Sequence, residues 1–291
     1  MTIKEQSSLQ LRITAQTLVK NEARYIWYAV MSVINHVDKI LLWDTGSSDE
    51  TLKIIDEILK TPEGKKKVDF KKVESVTTET FPKVRQQMLD ETKSDWILMV
   101  DGDEIWWEDS IRKVVQVVKS SAGRKLESIV VPTVNLVGDI YHYQDPSTGM
   151  YHLAGRTGHL NLRGIKKKIP GLHSHGVHGQ WGWVDKDNKM IQNRDSKKIL
   201  YIEAPYLHAT NVPRAGTIAG EASVPKRQMK RKYELGIPFP RDFYYPEVFF
   251  RNRPEIVPSP WEKIDSSFKL RALLETPLRR FKRKFVKKVG Y

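Results

Sequence analysis

The chain has 291 residues, 40% of them hydrophobic, so it can form a buried core and is not a wholly disordered protein. It contains no cysteine, which excludes disulfides and thiolate metal sites and leaves oxygen and imidazole groups as metal ligands. The formal net charge is +14, with 19 Lys and Arg against 8 Asp and Glu in residues 211–291, and such a field attracts nucleic acid, a phospholipid surface or a phosphorylated substrate.

Residues 12–138 alternate β-rich apolar runs with amphipathic segments. The predicted strands are Leu11–Val19, Lys39–Trp43, Val68–Val73, Trp96–Val100 and Ser128–Leu136. The predicted helices are Glu22–Asn35, Asp49–Leu59, Pro82–Lys93 and Asp109–Ser120. Strands that alternate with helices indicate a parallel sheet of βαβ units, whose ligands bind beyond the carboxyl ends of the strands.

The composition changes after Gly138 and again after Val212. Gly, His and aromatic residues with short alternating runs follow Gly138, which predicts irregular antiparallel strands and loops. Prolines recur after Val212, so this part of the chain is predicted to wrap over the surface with few long helices before residue 262.

The segment DWILMVDGDE, residues 95–104, is an apolar strand that runs directly into Asp101, Gly102, Asp103 and Glu104. Carboxylates at the end of a buried strand repel one another unless a cation lies among them. Mg²⁺ and Mn²⁺ prefer such oxygen ligands and are commonly shared between protein carboxylates and substrate phosphates. The alternative is an acidic loop that caps the helix beginning near Asp109.

Two other strands also end in polar residues. In KILLWDTGSSDET, residues 39–51, Asp44 stands at the strand tip before a small-residue turn and a helix. The first strand ends at Lys20, Asn21 and Glu22, again before a helix. Because the carboxyl ends of parallel strands meet at one edge of a sheet, the three ends together predict a nucleotide site in one crevice.

The segments LVKNEARYI, LLWDTGSSDET, FPKVRQQMLDET and DWILMVDGDE resemble, in order and spacing, the family 2 glycosyltransferases. The resemblance implies an α/β protein with the GT-A fold, a Rossmann-like open mixed sheet flanked by helices. It implies a catalytic domain over residues 1–210, with a nucleotide-sugar-binding half at 12–138 and an acceptor-side half at 139–210. A basic extension over 211–291 follows. The implied activity is metal-dependent transfer of a sugar from a nucleotide-diphosphate donor, a UDP- or GDP-sugar, with Mg²⁺ or Mn²⁺.

The resemblance also assigns donor-binding residues. It implies that Asn21, Glu22 and Asp44 lie against the base and ribose of the donor. Arg85, in the helix before the acidic strand, resembles the family's arginine that faces the nucleotide and its diphosphate. These assignments are expectations for the structure.

The metal site is implied in the same way. Asp101, Gly102 and Asp103 resemble the family's Asp-x-Asp motif, with Asp103 as the direct metal ligand and Asp101 in contact with ribose or a metal-bound water. His208, which follows an apolar strand, resembles the late histidine that completes the metal shell in many GT-A enzymes.

An inverting transfer needs a general base to deprotonate the acceptor hydroxyl. Many family members supply it from a Glu-Asp pair or a His-Glu dipeptide in the region of the clustered histidines, and neither is found in that region, where His178 is followed by Gly179. His178 and Asp185 are the candidates, although an acceptor that is already an anion, such as a lipid phosphate, would need no strong base. The alternative for His173, His175 and His178 is a three-histidine zinc site, which no acidic motif of a zinc hydrolase accompanies.

The final segment, residues 266–291, places apolar side chains at helical spacing among many Lys and Arg. This pattern predicts a basic amphipathic helix that binds an anionic membrane surface carrying a lipid-linked or surface-glycan acceptor. The alternative is a helix packed on the catalytic domain with a solvated charged face. No long apolar run or secretory segment is apparent, so a cytoplasmic protein, peripheral on the membrane, is expected.

Two rival functions fit part of the pattern. A nucleotidyltransferase would share the sheet and the paired acids, but it normally has a Gly-rich phosphate loop near its first strand, which is lacking here. A nucleic-acid-binding protein would use the basic tail, but unpaired carboxylates repel phosphates and no nucleic-acid module is recognisable, so no nucleic-acid partner is expected.

Overall fold

The computed structural model describes residues 11–74, 76–177, 179–215, 218–222, 224, 227, 232–264 and 266–285. In the first part of the chain, strands and helices alternate: β1 (Ile13–Val19), α1 (Ile26–Val33), β2 (Lys39–Asp44), α2 (Thr51–Lys60), α3 (Pro62–Lys67), β3 (Val68–Lys72), α4 (Phe81–Glu91), β4 (Trp96–Met99), β5 (Glu104–Trp106), α5 (Glu108–Lys119) and α6 (Ser121–Lys125).

The rest of the described chain is mainly strands. They are β6 (Ser128–Val137), β7 (Asp139–Tyr143), β8 (Tyr151–Leu153), β9 (Arg156–Gly158), β10 (Leu160–Lys166), β11 (His173–His175), β12 (Gly182–Val184), β13 (Ile199–Tyr201), β14 (Tyr206–Asn211) and β15 (Ile237–Pro238). The helices are α7 (Ile218–Ala222) and α8 (Ser266–Phe285), with 3₁₀ turns at Pro146–Thr148, Ile191–Asn193, Ser196–Lys198 and Glu247–Phe250.

One mixed sheet of eleven strands forms the centre of the molecule. Its main path runs β3-β2-β1-β4-β10-β6-β7-β15, and β13 and β14 pair in parallel with successive halves of β6. Strands β3, β2, β1 and β4 are mutually parallel, whereas β10 runs antiparallel to both β4 and β6. The predicted α/β class with an open mixed sheet and flanking helices is confirmed.

The strand order reverses at β1, because β2 and β3 lie on one side of it and β4 lies on the other. The loops that leave the carboxyl ends of β1 and β4 therefore diverge and leave a crevice between them. This is the position in an open α/β sheet at which ligands bind.

Each predicted strand and helix between residues 12 and 138 is present, with shifted ends. The largest shift concerns α1, which begins at Ile26 and not at Glu22. The chain first turns through Asn21, whose φ of 53° lies in the left-handed region, and this turn cannot belong to a helix. Because α1 begins four residues later than predicted, the loop after β1 is long enough to line the crevice.

The core includes side chains from beyond residue 210. Val248, Phe249 and Val257 are each at most 4% exposed and belong to the same apolar cluster as the side chains of β1, α1 and β4. Phe249 contacts Tyr28 of α1 edge-to-face, with ring centroids 5.0 Å apart. The extension therefore packs into the core of the sheet domain as well as over its surface. The domain boundary proposed at residue 210 stays a prediction.

Helix α8 has one buried and one exposed face. Phe268, Ala272 and Thr276 are buried, and Phe268 and Ala272 pack in a cluster with Val137 of β6. The exposed apolar side chains of the helix are Leu270, Leu273, Leu274, Leu278, Phe281 and Phe285. Within the described part of the chain, no helix has the length and apolar character needed to cross a membrane.

Candidate active site

A cleft of about 440 Å³ opens at the carboxyl ends of β1 and β4. Its polar walls come from the loop after β1, the loop after β4, strands β10 and β14, and the segment that follows β14. They include Lys20, Glu22, Asp101, Asp103, Asn161, Arg163, His208 and Arg214. The crevice predicted from the strand order is thus lined by charged side chains from several parts of the chain.

Gly102 allows the ends of β1 and β4 to approach each other closely. A Cβ atom at this position would lie 2.8 Å from Cγ1 of Val19 and 3.0 Å from Cγ of Glu22. A contact of 2.8 Å is essentially never seen at a real Cβ atom, so with a larger residue these two side chains or the loops that carry them would have to shift. The glycine between the two aspartates is therefore needed for packing between the strand ends.

Asp103 lies at the centre of the charged cluster. Strand β14 pairs antiparallel with β5, which sets His208 beside the acidic loop, and the Ala209 amide donates to the Asp103 carbonyl at 2.9 Å. His208 Nε2 is 3.4 Å from Asp103 Oδ2, and Arg214 Nη1 donates to the same oxygen at 2.5 Å. Burial disfavours the Asp103 anion, but Arg214 and His208 outweigh it and hold the pKa of Asp103 well below its usual value.

Arg163 ties Asp101 to its neighbours. Its guanidinium pairs with Glu104 and lies 3.5 Å from Asp101 Oδ2. Its Nε donates to the Tyr206 hydroxyl at 3.0 Å, which fixes the side chain beside β14. Burial disfavours the Arg163 cation, but Glu104 outweighs burial and raises the pKa of Arg163, so the group stays charged.

Arg85 presents unused hydrogen-bond donors in the cleft. Its Nη2 donates to Asp101 Oδ1 at 3.1 Å, and its guanidinium lies 5.4 Å from the ring of Phe81 and 5.3 Å from the ring of Trp181. Its Nε and Nη1 are buried and have no partner among the described residues. Buried donors of this kind carry a desolvation cost, which a bound anion would relieve.

Glu22 is held by arginines from the extension. Arg227 donates to Glu22 Oε1 and to the carbonyls of Lys20 and Asn21, at 2.8 and 2.6 Å, and Arg214 Nη1 lies 3.4 Å from Glu22 Oε1. Burial is the largest influence on Glu22 and raises its pKa to about 8, against the opposing effect of both arginines. Arg227 therefore fastens the extension to the loop after β1.

Comparison with known proteins assigns a family to this arrangement. Residues 17–179, more than half of the chain, match the family model for glycosyl transferase family 2. The chain belongs to glycosyl transferase family 2. The match favours a glycosyltransferase over the nucleotidyltransferase alternative, and the open mixed sheet agrees with the predicted fold class.

Individual relatives are distant. The SPbeta prophage-derived glycosyltransferase SunS of Bacillus subtilis (strain 168) is 24% identical over 169 residues, which are 57% of this chain and 36% of SunS. Residues 1–349 of S. aureus TarS in complex with UDP-GlcNAc align with a TM-score of 0.46 and 12% identity, over 74% of this chain and 62% of that one. For glucosyl-3-phosphoglycerate synthase from Mycobacterium tuberculosis, in complex with Mn²⁺ and UDP-glucose, the TM-score is 0.42, with 13% identity over 68% of this chain and 71% of that one. The matched segment thus spans about a third of the length of SunS.

Several residues predicted to bind the donor of this family 2 chain come together in the cleft. Glu22, Arg85, Asp101 and Gly102 all line it. Asp103 and His208, the predicted metal ligands, line it as well and lie side by side.

Asn21 and Asp44 have structural contacts in the turns around the cleft. The Asn21 side chain accepts from the Ser48 amide at 2.7 Å and donates to the Gly220 carbonyl at 2.9 Å. Asp44 accepts from the amides of Gly46 and Ser47 at 2.9 and 3.0 Å. Both side chains are buried, and they hold the loops after β1 and β2 together.

Of the two candidate bases, Asp185 is not brought together with the other residues. Asp185 does not line the cleft: it pairs with Arg194 and accepts from the amides of Asp187 and Lys189, each at 3.0 Å. These bonds shape the turn after β12. His178 lies outside the described residues.

The spacing of His208 and Asp103 can be compared with that of two ligands of one metal ion. Two ligand atoms that bind one Mg²⁺ or Mn²⁺ at right angles, each about 2.1 Å from the ion, lie about 3 Å apart. The separation of 3.4 Å between His208 Nε2 and Asp103 Oδ2 fits such a site. Within the ranges that the structure describes, no group of three or more His, Asp or Glu suited to a metal ion occurs. Oxygen atoms of a ligand would therefore have to complete the coordination.

Sequence reasoning missed the arginines Arg163, Arg214 and Arg227. Each contacts a carboxylate of the cleft from a distant part of the chain, 59 to 205 residues away. Arg214 had one local signal, because it follows the strand that carries His208 by a few residues. Arg163 and Arg227 had none.

Proposed function

We propose that this chain is a glycosyltransferase that takes a sugar from a nucleotide-diphosphate donor, a UDP- or GDP-sugar. The observation that carries the proposal is the cluster of Asp103, His208 and several arginines in one cleft at the switch point of a family 2 sheet. In the reaction, an acceptor oxygen bonds to the anomeric carbon of the sugar while the bond from that carbon to the diphosphate breaks. The acceptor proton passes to a base.

The donor's diphosphate is proposed to bind along Arg85. This guanidinium is 4% exposed, and two of its nitrogens have no partner in the described part of the chain. Phe81 and Trp181 flank it and limit its movement, so the donors are oriented before an anion arrives. Arginine forms paired hydrogen bonds with phosphate oxygens, which suits this position.

Asp103 and His208 are proposed to hold Mg²⁺ or Mn²⁺, with Asp101 beside them to contact the donor ribose or a water on the cation. Bound there, the cation would supply positive charge that stabilises the leaving diphosphate. His208 is oriented for this role by the pairing of β14 with β5. Asp103 is kept ionised by its cationic neighbours, as a metal ligand must be.

For an inverting transfer, His178 is the preferred base and Asp185 the second candidate. The carboxylate of Asp185 is engaged by Arg194 and by backbone amides, which leaves little capacity to take a proton from an acceptor. An acceptor that is already anionic would need neither. If a His178→Gln variant turns over as fast as the parent protein, His178 has no part in the proton transfer.

The acceptor is proposed to be presented at an anionic membrane surface. Helix α8 exposes Leu274, Leu278 and Phe281 on one stripe, and cations surround them. Lys269, Arg280 and Lys282 in this helix have exposed side chains. A stripe of this composition can bury its apolar side chains in a membrane interface while its cations contact acidic headgroups.

Titration calorimetry of UDP- and GDP-sugars, with and without Mn²⁺, tests the proposed donor site. We expect one of the nucleotides to bind, and to bind more tightly when Mn²⁺ is present. An Asp103→Asn variant should lose the effect of Mn²⁺, because a neutral amide is a much weaker ligand. The exposed substitution Asp109→Asn in α5 is the matched control. Equal binding and turnover of Asp103→Asn and the parent protein would overturn the proposal.

A further inference from the structure

The residue that contacts Asp103 most closely is Arg214, which follows β14 in the basic extension. Arg214 Nη1 donates to Asp103 Oδ2 at 2.5 Å, and His208 Nε2 lies 3.4 Å from the same oxygen. Arg214 Nη1 also lies 3.4 Å from Glu22 Oε1. The proposed metal ligand therefore has a positively charged partner that the chain itself provides.

The backbone of Arg214 is fixed on both sides. Its amide and the amide of Ala215 each donate to Glu221 Oε1 at 2.5 Å, and its carbonyl accepts from the Arg24 amide at 2.9 Å. The side chain lines the cleft, and its Nε is buried without a partner among the described residues. Arg214 is thus held at its main chain, while its guanidinium retains a donor for another acceptor.

We propose that Arg214 is a positioning residue with two alternative partners, an inference that rests on the proposed function. It competes with the divalent cation for Asp103, and it bonds to the donor's diphosphate when the cation takes that carboxylate. Two cations cannot share one carboxylate oxygen without strong repulsion, so each lowers the affinity of Asp103 for the other. The diphosphate offers the guanidinium new acceptors at the edge of the same cleft.

This exchange of partners predicts that removal of the Arg214 guanidinium changes the affinities for Mn²⁺ and for the nucleotide in opposite directions. Without the guanidinium, Asp103 is open to the cation, so the protein alone should bind Mn²⁺ more tightly. The diphosphate, in contrast, loses one of its partners, so a nucleoside diphosphate should bind more weakly when Mn²⁺ is saturating. A residue that only stabilised the fold would weaken both interactions.

The experiment compares the parent protein with Arg214→Gln, Arg214→Lys and Arg24→Gln. Arg24 is the matched control because its side chain pairs with Glu262 and makes no contact with Asp103. Mn²⁺ affinity of the full chain alone is measured from the electron paramagnetic resonance signal of the free ion. Affinity for UDP or GDP, whichever the parent protein binds, is measured by calorimetry at saturating Mn²⁺.

For Arg214→Gln we expect Mn²⁺ to bind about tenfold more tightly and the nucleotide about tenfold more weakly, since truncation of one partner of a buried charge pair has effects of at least this size. Arg214→Lys, which retains the charge, should lie between this variant and the parent. Unchanged or weaker Mn²⁺ binding in Arg214→Gln, or unchanged nucleotide binding, would overturn the inference. If the parent protein binds neither UDP nor GDP, the proposed function fails instead. Thermal unfolding of each variant shows that it is folded.

Discussion

Around the cleft, acidic side chains and arginines alternate in a chain of contacts. Arg227 pairs with Glu22, and Arg214 lies between Glu22 and Asp103. Arg163 lies between Glu104 and Asp101. Each of these acids thus has a guanidinium beside it, which offsets the like-charge repulsion between Asp101 and Asp103 in the sequence DGDE. A ligand that brings both phosphates and a cation can exchange partners with this chain of charges without adding net charge.

The protonation of Glu22 gives a testable pH dependence. Burial raises its pKa from 4.5 to about 8, so the folded protein holds this proton over a range in which the unfolded chain has lost it. The free energy of unfolding should therefore fall as pH rises between 4.5 and about 8, by up to about 1.4 kcal/mol per pH unit from this one group. Glu22→Gln is neutral at every pH, so its unfolding should have a shallower pH dependence, measured by urea denaturation.

The pKa of His208 is also raised, because Asp103 outweighs the effect of burial, and its contribution to stability is likewise lost as pH rises through that pKa. His208 is present in both proteins, so the difference between the two pH profiles reports Glu22. Glu50→Gln, at an exposed position before α2, controls for the substitution itself. Parallel profiles for Glu22→Gln and the parent protein would contradict a buried neutral Glu22.

At the residue scale, the sequence predicted the acids of the site but not their partners. Asp101 and Asp103 could be found because a buried strand ends directly in them, which is a local signal. Arg163, Arg214 and Arg227 could not, since a surface arginine and an arginine in a charge cluster have the same local sequence features. Their pairing depends on how β10 and the extension pack against β4. This tertiary packing cannot be predicted from a single sequence.

The junction of β1 and β4 depends on Gly102. In Gly102→Ala, the new Cβ would lie 2.8 Å from Val19 Cγ1 and 3.0 Å from Glu22 Cγ, so these side chains or the strand ends that carry them must shift. We expect a loss of about 1–3 kcal/mol in the free energy of unfolding, as for other overpacked sites, together with weaker donor binding. Chemical denaturation and calorimetry measure the two effects.

Gly158→Ala in β9 is the control, because its Cβ would meet no atom closer than 3.9 Å. Its free energy of unfolding should change by less than about 0.5 kcal/mol. A Gly102→Ala protein as stable as Gly158→Ala would mean that the strand ends tolerate separation.

The proposed membrane binding by α8 can be tested without disrupting the fold, because the apolar stripe of this helix is exposed. Leu274, Leu278 and Phe281 are 65–70% exposed, so their replacement by serine should leave thermal unfolding nearly unchanged. The triple variant should lose most of its co-flotation with vesicles that contain acidic lipid, because the stripe supplies the buried apolar area. Phe250→Ser, at an equally exposed aromatic residue outside the helix, should float like the parent protein. Equal flotation of the triple variant and the parent would exclude this helix as the membrane contact.

Elements with a strong local pattern were predicted well, and elements that depend on long-range pairing were not. The apolar runs of β1, β2 and β4 and the stripe of α2 each identify their element. Strand β5 has three residues, too few for a periodic pattern, and exists because β14 pairs with it across about a hundred residues of sequence. That pairing is what brings His208 to Asp103, so the geometry of the proposed metal site could not be derived from periodicity.

In the molecule as a whole, the basic extension contacts the sheet domain in two places, the core and the cleft. In the core, Val248, Phe249 and Val257 pack with the side chains of the main apolar cluster. At the cleft, Arg214 and Arg227 contact the carboxylates Asp103 and Glu22. The prolines of the extension correctly predict an irregular path, but the amount of core that it supplies depends on tertiary contacts with α1. Because this segment contributes to both core and cleft, we expect the proposed donor binding to depend on the packing of the extension.

A chain that ends at residue 210 tests this coupling. It would lose Val248, Phe249 and Val257, each worth about 1.5–3 kcal/mol when fully buried, against a total stability of about 5–15 kcal/mol for a typical domain. We expect it to lack a cooperative unfolding transition in urea, followed by tryptophan fluorescence. A chain of residues 1–264 retains those side chains and Arg214 and loses α8, so it should unfold cooperatively with reduced stability. Cooperative unfolding of the shorter chain would mean instead that residues 1–210 form an autonomous domain and that the extension docks on a core already complete.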